Sequence, residues 1–371
     1  MARNKPKKKD KSEKYLSEIS KGVKDMVFVD HMVEETVVPT KLTGYNRAMG
    51  IGGHPLGCFS LIHGPNQVGK SVLAMAIAES LRQAGFPSYI FDSEYAGEKE
   101  WYSAITPRSK YMRIANLDLL ISNIQIMLTN LRKGKERKEN PIPKEVGCVF
   151  IVDTLTKLMP KEILEKLEKE GPSKAYPIQA MWISLWSKSI IPQLADSNST
   201  MLVVTQERQN ISKAGPWEDD YKASGGKSIQ YDNRVRLRVS SSKRVKSGDK
   251  VVGMQCRYSV ENNKIVGTSY SKASFFTSNG EGDMPKGLDH VREAIEEARE
   301  HREGIFVKKT VTNKKTGKKK NIIEARFDGE ALFKVDGGWE DVRRALIEQP
   351  ELFESFVEKL NAEVLNENRG D

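Results

Sequence analysis

The stretch from Gly64 to Ser71 carries the clearest chemistry in the chain. It reads Gly-Pro-Asn-Gln-Val-Gly-Lys-Ser and fits the pattern G-x-x-x-x-G-K-[ST] of a phosphate-binding loop. An apolar, strand-forming run, Phe59–His63, precedes it, and a helix is predicted from Ser71 to Arg82. The glycines allow the backbone to fold around a phosphate chain at the positive end of that helix. The sequence therefore predicts a site for a nucleoside triphosphate.

Two residues of this stretch have individual tasks. Lys70 would reach the β- and γ-phosphates, and the Ser71 hydroxyl would bind Mg²⁺. The main-chain amides of the stretch would face the phosphates. The candidate nucleotide-binding residues are, in chain order, Gly64, Pro65, Asn66, Gln67, Val68, Gly69, Lys70 and Ser71.

Carboxylates follow two predicted buried strands. Ser88–Phe91 leads into Asp92-Ser93-Glu94, and six of the seven residues in Val146–Val152 are apolar before Asp153. Acids at the carboxyl ends of parallel strands lie where α/β sheets place their ligands. Asp153 is expected to hold Mg²⁺ through water, opposite Ser71. For the acids after Phe91, a simple helix cap is the alternative.

Composition narrows the class of protein. The chain has 371 residues, 38% of them hydrophobic and 30% charged, and a formal charge of +10. These values are typical of a soluble globular protein of about two domains, and the charge weakly favours a polyanionic partner. We expect neither a transmembrane helix nor a signal peptide, because no apolar run is long enough. Cys58, Cys148 and Cys256 lack metal-ligand spacing, which predicts buried, reduced thiols.

Changes in composition predict three regions. Residues 1–40 form a basic limb with a helix and a short strand, 41–282 an α/β core, and 283–371 a small α+β domain. In the limb, apolar residues recur at helical spacing between Glu13 and Val27, and Met26–Val29 is a short apolar stretch. This limb is too small to bury its own apolar face. It would dock either on the same core or on the next subunit.

Two segments of the core are irregular. Lys161–Tyr176 is highly charged, and Glu207–Ser224 is a long stretch without convincing periodicity that contains Trp217 and Tyr221. Loops of such length inside a compact domain are usually functional or disordered. The two aromatic side chains either anchor the second segment on the core or contact a ligand. After it, Arg234–Val239 alternates as a strand with its arginines on one face.

In this order the pieces resemble the RecA/RadA family of homologous-recombination strand-exchange proteins, from about Thr40 to Leu360. Besides the phosphate-binding loop, the resemblance is carried by Thr43–Tyr45, Gly52–Gly57, Phe91–Glu94, Val149–Thr154, Val203–Gln206 and Ser224–Lys227. The part after Pro285 is similar to the bacterial RecA type. The chain departs from cellular bacterial RecA in Pro65–Val68, in its lysine-rich start and in its reduced acidic end. Such divergence resembles a phage-encoded or otherwise divergent recombinase.

The resemblance implies a fold, an activity and a set of partners. The fold would be a RecA-like P-loop ATPase core with a twisted, mostly parallel central sheet. The activity would be that of an ATP-dependent recombinase, with ATP and Mg²⁺ as cofactors, forming helical filaments on single-stranded DNA and pairing it with homologous double-stranded DNA. Single-strand-binding and loader proteins are further candidate partners, and no membrane partner is implied. The expected location is the cytoplasm, that of a bacterial host if the chain is phage-encoded.

The resemblance also implies roles for single residues in catalysis. Glu94 corresponds to the general base that activates the attacking water, and Lys70 to the lysine on the transferring phosphate. Gln206 corresponds to the glutamine that senses the γ-phosphate and signals to DNA; an amide can both donate and accept hydrogen bonds. Either Trp101 or Tyr102 would stack on adenine.

Contacts across a subunit interface and with DNA follow from the same resemblance. Of two lysines that reach the γ-phosphate from the neighbouring subunit, Lys264 is present, whereas Asn262 stands at the other position. Lys161–Tyr176 and Glu207–Ser224 correspond to the first and second DNA-binding loops. The candidate DNA contacts are Tyr176 and Ile211, which align with wedges between base triplets, the phosphate-binding amides of Gly225 and Gly226, and Arg208 and Lys227.

Two other classes of protein stay open. A hexameric helicase with a related core would form closed rings and translocate along DNA. A DNA-binding scaffold would bind ATP without turnover, although the presence of Glu94 argues against this class. An ATPase assay with and without single-stranded DNA distinguishes the scaffold from the enzymes.

Overall fold

Among the residues that the structure describes, regular structure begins at Val37 and ends at Glu367. The computed structural model describes residues 36–95, 97–170, 175–209, 221–223, 227–267, 271–312 and 319–367. All of them belong to one structural unit, Thr36–Asp371. The predicted limb lies outside the described residues except for its last few positions.

Apolar and β-branched runs give the strands. In chain order they are β1 (Val37–Val38), β2 (His54–Pro55), β3 (Phe59–His63), β4 (Ser88–Asp92), β5 (Lys110–Arg113), β6 (Val149–Asp153), β7 (Thr200–Val204), β8 (Glu207–Gln209), β9 (Tyr221–Ala223), β10 (Val235–Ser247), β11 (Lys250–Asn263), β12 (Ser271–Ser278), β13 (Gly287–Leu288), β14 (Phe306–Thr312), β15 (Lys319–Phe327) and β16 (Glu330–Asp336).

Helices connect and cover these strands. In chain order they are α1 (Thr43–Met49), α2 (Lys70–Gln83), α3 (Lys99–Ile105), α4 (Leu117–Lys135), α5 (Lys161–Glu170), α6 (Ala175–Ser197), α7 (Lys227–Asp232), α8 (His290–His301), α9 (Trp339–Glu348) and α10 (Pro350–Glu367). A short 3₁₀ helix, Leu155–Lys157, follows β6.

The central sheet has nine strands in the order β13-β12-β11-β10-β3-β7-β6-β4-β5. Neighbours from β10 to β5 are parallel, whereas β11, β12 and β13 add antiparallel strands at one edge. The expected α/β fold with a mostly parallel sheet is confirmed. Because β3, β7, β6 and β4 are parallel neighbours, the residues that follow them meet at one edge of the sheet.

Both faces of the sheet are covered, which explains why its strands are apolar nearly throughout. On one face, α2 packs its apolar residues against Ile62, Ile151 and Val204. On the other face, residues of α4 and α6 pack against Leu61 and Val152. The three cysteines are buried in these layers, as their surroundings predict.

The C-terminal residues have a core of their own. Strands β14, β15 and β16 form a three-stranded antiparallel sheet, and α8, α9 and α10 pack on it. Phe356 is fully buried among Phe306, Phe327 and Phe333. Strands β14 and β15, both rich in lysine, are antiparallel neighbours, and the residues between them lie in a range that is not described. The domain boundaries at 40 and 282 stay a prediction.

The first segment expected to be irregular, Lys161–Tyr176, is helical from Lys161 to Glu170, the range of α5. The expectation was wrong, because a highly charged segment can still form a helix. Glu, Lys and Leu are strong helix formers, Lys161 lies 3.8 Å from Glu165 one turn later, and Ile163 is buried.

The second irregular segment, Glu207–Ser224, has paired ends. Strands β8 and β9 are antiparallel, with Glu207 opposite Ala223 and Gln209 opposite Tyr221. Residues 210–220, which include Trp217, lie outside the described ranges. The segment therefore starts and ends as a two-stranded ribbon that follows β7 in the chain.

Candidate active site

The phosphate-binding loop lies against the backbone of the neighbouring strands. Gly64 has φ +150°, and a Cβ there would lie 2.1 Å from the carbonyl oxygen of Val239 on β10. Gly69 has φ +97°, and a Cβ there would lie 2.8 Å from Cys256 Sγ on β11. Both positions therefore require glycine. Helix α2 begins at the next residue, so its unpaired first-turn amides border the loop.

Lys70 is buried at the start of α2 and bridges the loop. Its ammonium donates a hydrogen bond to the carbonyl of Pro65. Burial lowers the pKa of Lys70, and the nearby carboxylates of Asp153, Glu94 and Glu207 oppose this effect. The lysine is thus a partly desolvated cation among acids, and a phosphate could take over its hydrogen bond.

Ser71 and Asp153 are neighbours at the start of α2 and the end of β6. The Ser71 hydroxyl favours the ionised form of the Asp153 carboxylate and so offsets part of the rise in its pKa. Burial raises the pKa of Asp153 to about 6, and the like charges of Glu94 and Asp92 add to the rise. A hydroxyl and a carboxylate are the oxygen ligands that a magnesium ion uses beside substrate phosphates, so this pair fits Mg²⁺. Within the described ranges, no group of three or more His, Cys, Asp and Glu residues forms a separate metal site.

Glu94 and Gln206 are in direct contact at the same edge of the sheet. The Gln206 Nε2 donates a hydrogen bond of 3.2 Å to Glu94 Oε1. The ammonium of Lys157 lies 3.3 Å from the same oxygen. Lys157 was not predicted, because a lysine shortly after Asp153 carries no signal in a lysine-rich chain.

Asp92 fixes the backbone that carries Glu94. One carboxylate oxygen of Asp92 accepts hydrogen bonds from the N–H groups of Glu94 (2.7 Å) and Tyr95 (3.0 Å). The other accepts one of 2.7 Å from the Tyr111 hydroxyl on the edge strand β5. Asp92 is buried and pairs in register with Asp153 on β6. The helix-cap alternative does not describe Asp92, because the amides that it binds lie in a bend, and the next helix begins only at Lys99 with Glu98 as its N-cap residue.

The two candidate adenine-stacking residues have different surroundings on α3. The Lys286 ammonium lies 5.2 Å from the centre of the Trp101 ring. The Tyr102 ring packs edge-on against Tyr111 with 5.3 Å between centres. Burial, together with the carboxylates of Asp153 and Asp92, raises the pKa of Tyr102. The choice between the two residues stays a prediction.

Lys264 is engaged within its own chain. Its ammonium donates to the carbonyl of Tyr231, and its main-chain N–H donates to Arg234 O at 2.9 Å. Asn262, the residue at the second expected lysine position, pairs with Arg236 between β11 and β10. The role of Lys264 in a neighbouring subunit's site stays a prediction.

The candidate DNA contacts are only partly covered by the structure. Ile211, Gly225 and Gly226 lie outside the described residues. The backbone of Tyr176 is in the first turn of α6, Arg208 is opposite Lys222 in the β8–β9 ribbon, and Lys227 is the first residue of α7. Their DNA-binding roles stay predictions.

Comparisons with known proteins agree with this architecture. The sequence profile of the RecA N-terminal domain family matches residues 16–283. The chain is 25% identical over 260 residues to a mitochondrial DNA repair protein recA homolog of Dictyostelium discoideum, covering 70% of this chain and 53% of that protein. The chain thus spans about half the length of that relative.

Two bacterial relatives are covered more fully. Protein RecA of Bacteroides thetaiotaomicron is 26% identical over 261 residues, 70% of this chain and 73% of that protein. Protein RecA of Bifidobacterium longum is 25% identical over 330 residues, 88% of this chain and 72% of that protein. Among the helices that the structure describes, none has the length and apolar character needed to cross a membrane. A family match that runs from before β1 to beyond β12, on the expected fold, shows that the chain belongs to the RecA family of DNA recombination and repair proteins.

Proposed function

We propose that this chain is an ATP-dependent recombinase that forms helical filaments on single-stranded DNA and exchanges it with a homologous duplex. The observation that carries the proposal is the hydrogen bond between Gln206 and Glu94. It joins the candidate catalytic base to the residue that leads into the second irregular segment. Occupancy of that segment by DNA can therefore alter the position of the base.

ATP would be bound by the loop from Gly64 to Ser71. Lys70 would exchange its bond to the Pro65 carbonyl for the β- and γ-phosphates, because a charge-assisted hydrogen bond to an anion is stronger than one to a neutral carbonyl. Trp101 or Tyr102 would stack on the adenine ring of ATP. Substitution of each by alanine, followed by measurement of the KM for ATP, shows which of the two residues contacts the adenine.

Ser71 and Asp153 would hold Mg²⁺, Asp153 through water. When bound, the ion offsets negative charge on the phosphates during transfer. Since burial raises the pKa of Asp153 to about 6, this carboxyl is largely ionised at neutral pH and available to the ion.

Glu94 would accept a proton from the attacking water, and the Lys157 ammonium, 3.3 Å from Glu94 Oε1, would help to hold the carboxylate in place. Gln206 holds one Glu94 oxygen through an amide that can instead bond to the γ-phosphate. A shift of Gln206 from Glu94 to the phosphate would free the base and move the start of β8. This exchange would link hydrolysis to DNA.

DNA would be bound mainly through its backbone and its base faces, since strand exchange must accept every sequence. Arg208, Lys227 and the amides at Gly225 and Gly226 supply phosphate contacts in this proposal, and Tyr176 and Ile211 supply wedges between bases. Head-to-tail contacts that do not close would extend the protein along the strand, with Lys264 completing the ATP site of the neighbouring subunit. Single-strand-binding and loader proteins would act on this assembly.

The test is electron microscopy of the protein on circular single-stranded DNA with a slowly hydrolysed ATP analogue, joined with a strand-exchange assay. We expect open helical filaments and transfer of the strand from a homologous linear duplex. A duplex of unrelated sequence is the control and should give no transfer. Closed rings without strand exchange would instead identify a helicase, and no nucleotide-dependent assembly on DNA would contradict the proposal.

A further inference from the structure

A partly buried group of charges lies between the phosphate-binding loop and the second irregular segment. We call it the His63 cluster; its members are His63 at the end of β3, Glu207 at the start of β8, Arg236 and Arg238 on β10, and Glu261 on β11. His63 Nδ1 lies 3.0 Å from Glu207 Oε1, and His63 Nε2 lies 2.8 Å from Glu261 Oε2.

The two arginines complete the cluster. Arg238 Nε lies 2.7 Å from Glu207, and Arg236 Nε lies 3.2 Å from Glu261. The Glu207 side chain is 3% exposed and that of Glu261 is 19% exposed. The side chains of Arg236 and Arg238 are 29% and 35% exposed, so the cluster is buried at His63 and Glu207 and open to solvent at its arginines.

The geometry defines the charge of His63. Both ring nitrogens face carboxylate oxygens, which only accept hydrogen bonds, so both nitrogens must carry protons. Burial disfavours this cation, but the hydrogen bonds to Glu207 and Glu261 outweigh burial and raise the pKa of His63. The hydrogen bonds from His63 and Arg238 hold the pKa of Glu207 at about 2 despite burial.

The cluster holds the start of the second segment onto the phosphate-binding loop. His63 directly precedes Gly64, and the main-chain N–H of Glu207 donates to Gly64 O at 3.3 Å. Glu207 directly follows Gln206, whose amide bonds to Glu94. The side chain and the backbone of Glu207 are therefore both tied to the strand that carries the loop.

We propose that His63, as a cation held between Glu207 and Glu261, is a positioning residue that transmits DNA binding at the second segment to Gln206 and Glu94. This inference rests on the proposed function and adds a component that none of the loop or strand-end sequence patterns contains. His63 touches neither the phosphates nor the water in this scheme. It acts through Glu207, and its loss uncouples the segment from the site.

His63→Gln is the appropriate variant. The cluster holds three cations, including the imidazolium, against two carboxylates, so two cations and two carboxylates remain when the His63 charge is removed. Glutamine keeps a hydrogen-bonding group near both carboxylates. The variant should therefore fold, which its thermal unfolding temperature checks. Glu261→Gln, at the more exposed carboxylate, is a second variant that weakens the same clamp from the other side.

The experiment measures ATP turnover with and without saturating single-stranded DNA, between pH 6 and 9. We expect His63→Gln to keep its KM for ATP and its DNA-free turnover, while the stimulation by DNA falls roughly tenfold, within the range typical of coupling between sites. Glu261→Gln should lower the stimulation in the same direction. Glu79→Gln, which removes a carboxylate paired with Arg82 near the other end of α2, is the matched control and should leave stimulation unchanged.

The pH profile separates positioning from a general structural role. The charged groups around His63 are Glu207, Glu261, Arg236 and Arg238, with Lys70 facing Glu207 from α2. Because the cation is required, DNA stimulation of the parent should be present at low pH and be lost as pH rises through the raised pKa of His63. In His63→Gln this loss should be absent.

Three results would overturn the inference. His63→Gln could keep the parent's stimulation, it could lose DNA-free and DNA-stimulated turnover by the same factor, or the parent's pH profile could persist in it. A parent protein that hydrolyses no ATP with DNA present would instead refute the proposed function, and the inference with it. That result is seen before any variant is tested.

Discussion

Gln206 Nε2 and Glu94 Oε1 form a hydrogen bond of 3.2 Å although 112 residues separate them in the chain. Each follows a different strand, β7 and β4, whose carboxyl ends open on the same edge of the sheet. The contact places the candidate base beside the start of the segment that we assign to DNA. The strand ends that carry Glu94 and Gln206 thus form one site, in which a movement of one side chain can affect the other.

Replacement of Glu94 by glutamine should remove the base and keep the structure. An amide at this position can still accept the hydrogen bond from Gln206. The variant should therefore still bind ATP and DNA and still form filaments. The turnover rate should fall by roughly 10² or more, the usual contribution of a positioned base. Steady-state ATPase rates and filament images of this variant check the prediction, with the exposed Glu98→Gln as control. Loss of filaments would mean that Glu94 is structural and that the base lies elsewhere.

Lys70→Ala should abolish hydrolysis and weaken nucleotide binding. The ammonium is the buried cation of the loop, and removal of a charge from the transferring phosphate typically costs roughly 10²-fold or more in rate. Nucleotide titrations and single-turnover rates measure the two effects. Lys334→Ala, which removes an exposed lysine from β16, should change neither. Normal turnover in Lys70→Ala would refute the ATPase assignment.

Binding of Mg²⁺ and ATP should weaken as the pH falls through about 6. Burial raises the pKa of Asp153 to about 6, so below that pH the ion must displace a proton from this carboxyl. Affinity from calorimetric titrations at pH 5 to 8 should show this loss, accompanied by proton release at the lower pH values. The triphosphate also takes up a proton in this range, and Asp153→Asn reports that contribution alone. An identical pH dependence in parent and variant would exclude Asp153 from the metal site.

Phosphate contacts and base wedges should differ in their response to salt. Arg208→Ala should lower affinity for single-stranded DNA and flatten the slope of log affinity against log salt by about 0.7, the value for one phosphate contact. Tyr176→Ala and Ile211→Ala should leave that slope nearly unchanged but impair strand exchange. Salt titrations beside a strand-exchange assay test this for each variant. Normal strand exchange by both alanine variants would show that these side chains are not wedges.

The strands and helices of the core could be predicted because their local signals are strong. The run Phe59–His63 is a strand with those bounds, and the predicted helix after the loop differs from α2 by one residue at each end. Buried apolar runs with glycines beside them leave few alternatives. The positions of Lys70, Ser71 and Asp153 in one site followed from the same patterns.

What could not be predicted depends on contacts between distant residues. Helix α1 has no local cap, because Leu42 at its start provides no side-chain hydrogen bond. The cap is supplied by Glu293, which accepts hydrogen bonds from the N–H groups of Thr43 and Gly44 across about 250 positions of sequence. No local pattern carries that information.

The His63 cluster illustrates the same limit. The alternating arginines of β10 were visible in the sequence as one polar face, but their partners were not. Glu207 and Glu261 become neighbours of Arg238 and Arg236 only through the pairing of β10 with β3 and β11. Arginines on one face of a central strand indicate that acidic partners lie nearby, but the sequence alone does not identify these partners.

The most direct test of the account is the steady-state rate of ATP hydrolysis by the parent protein, measured with and without single-stranded DNA. Lys70→Ala under the same conditions gives the background rate. We predict turnover above this background that rises severalfold when single-stranded DNA is added, because the second segment and Glu94 are joined through Gln206. Turnover at the Lys70→Ala level with DNA present, or turnover that DNA leaves unchanged, would contradict the account.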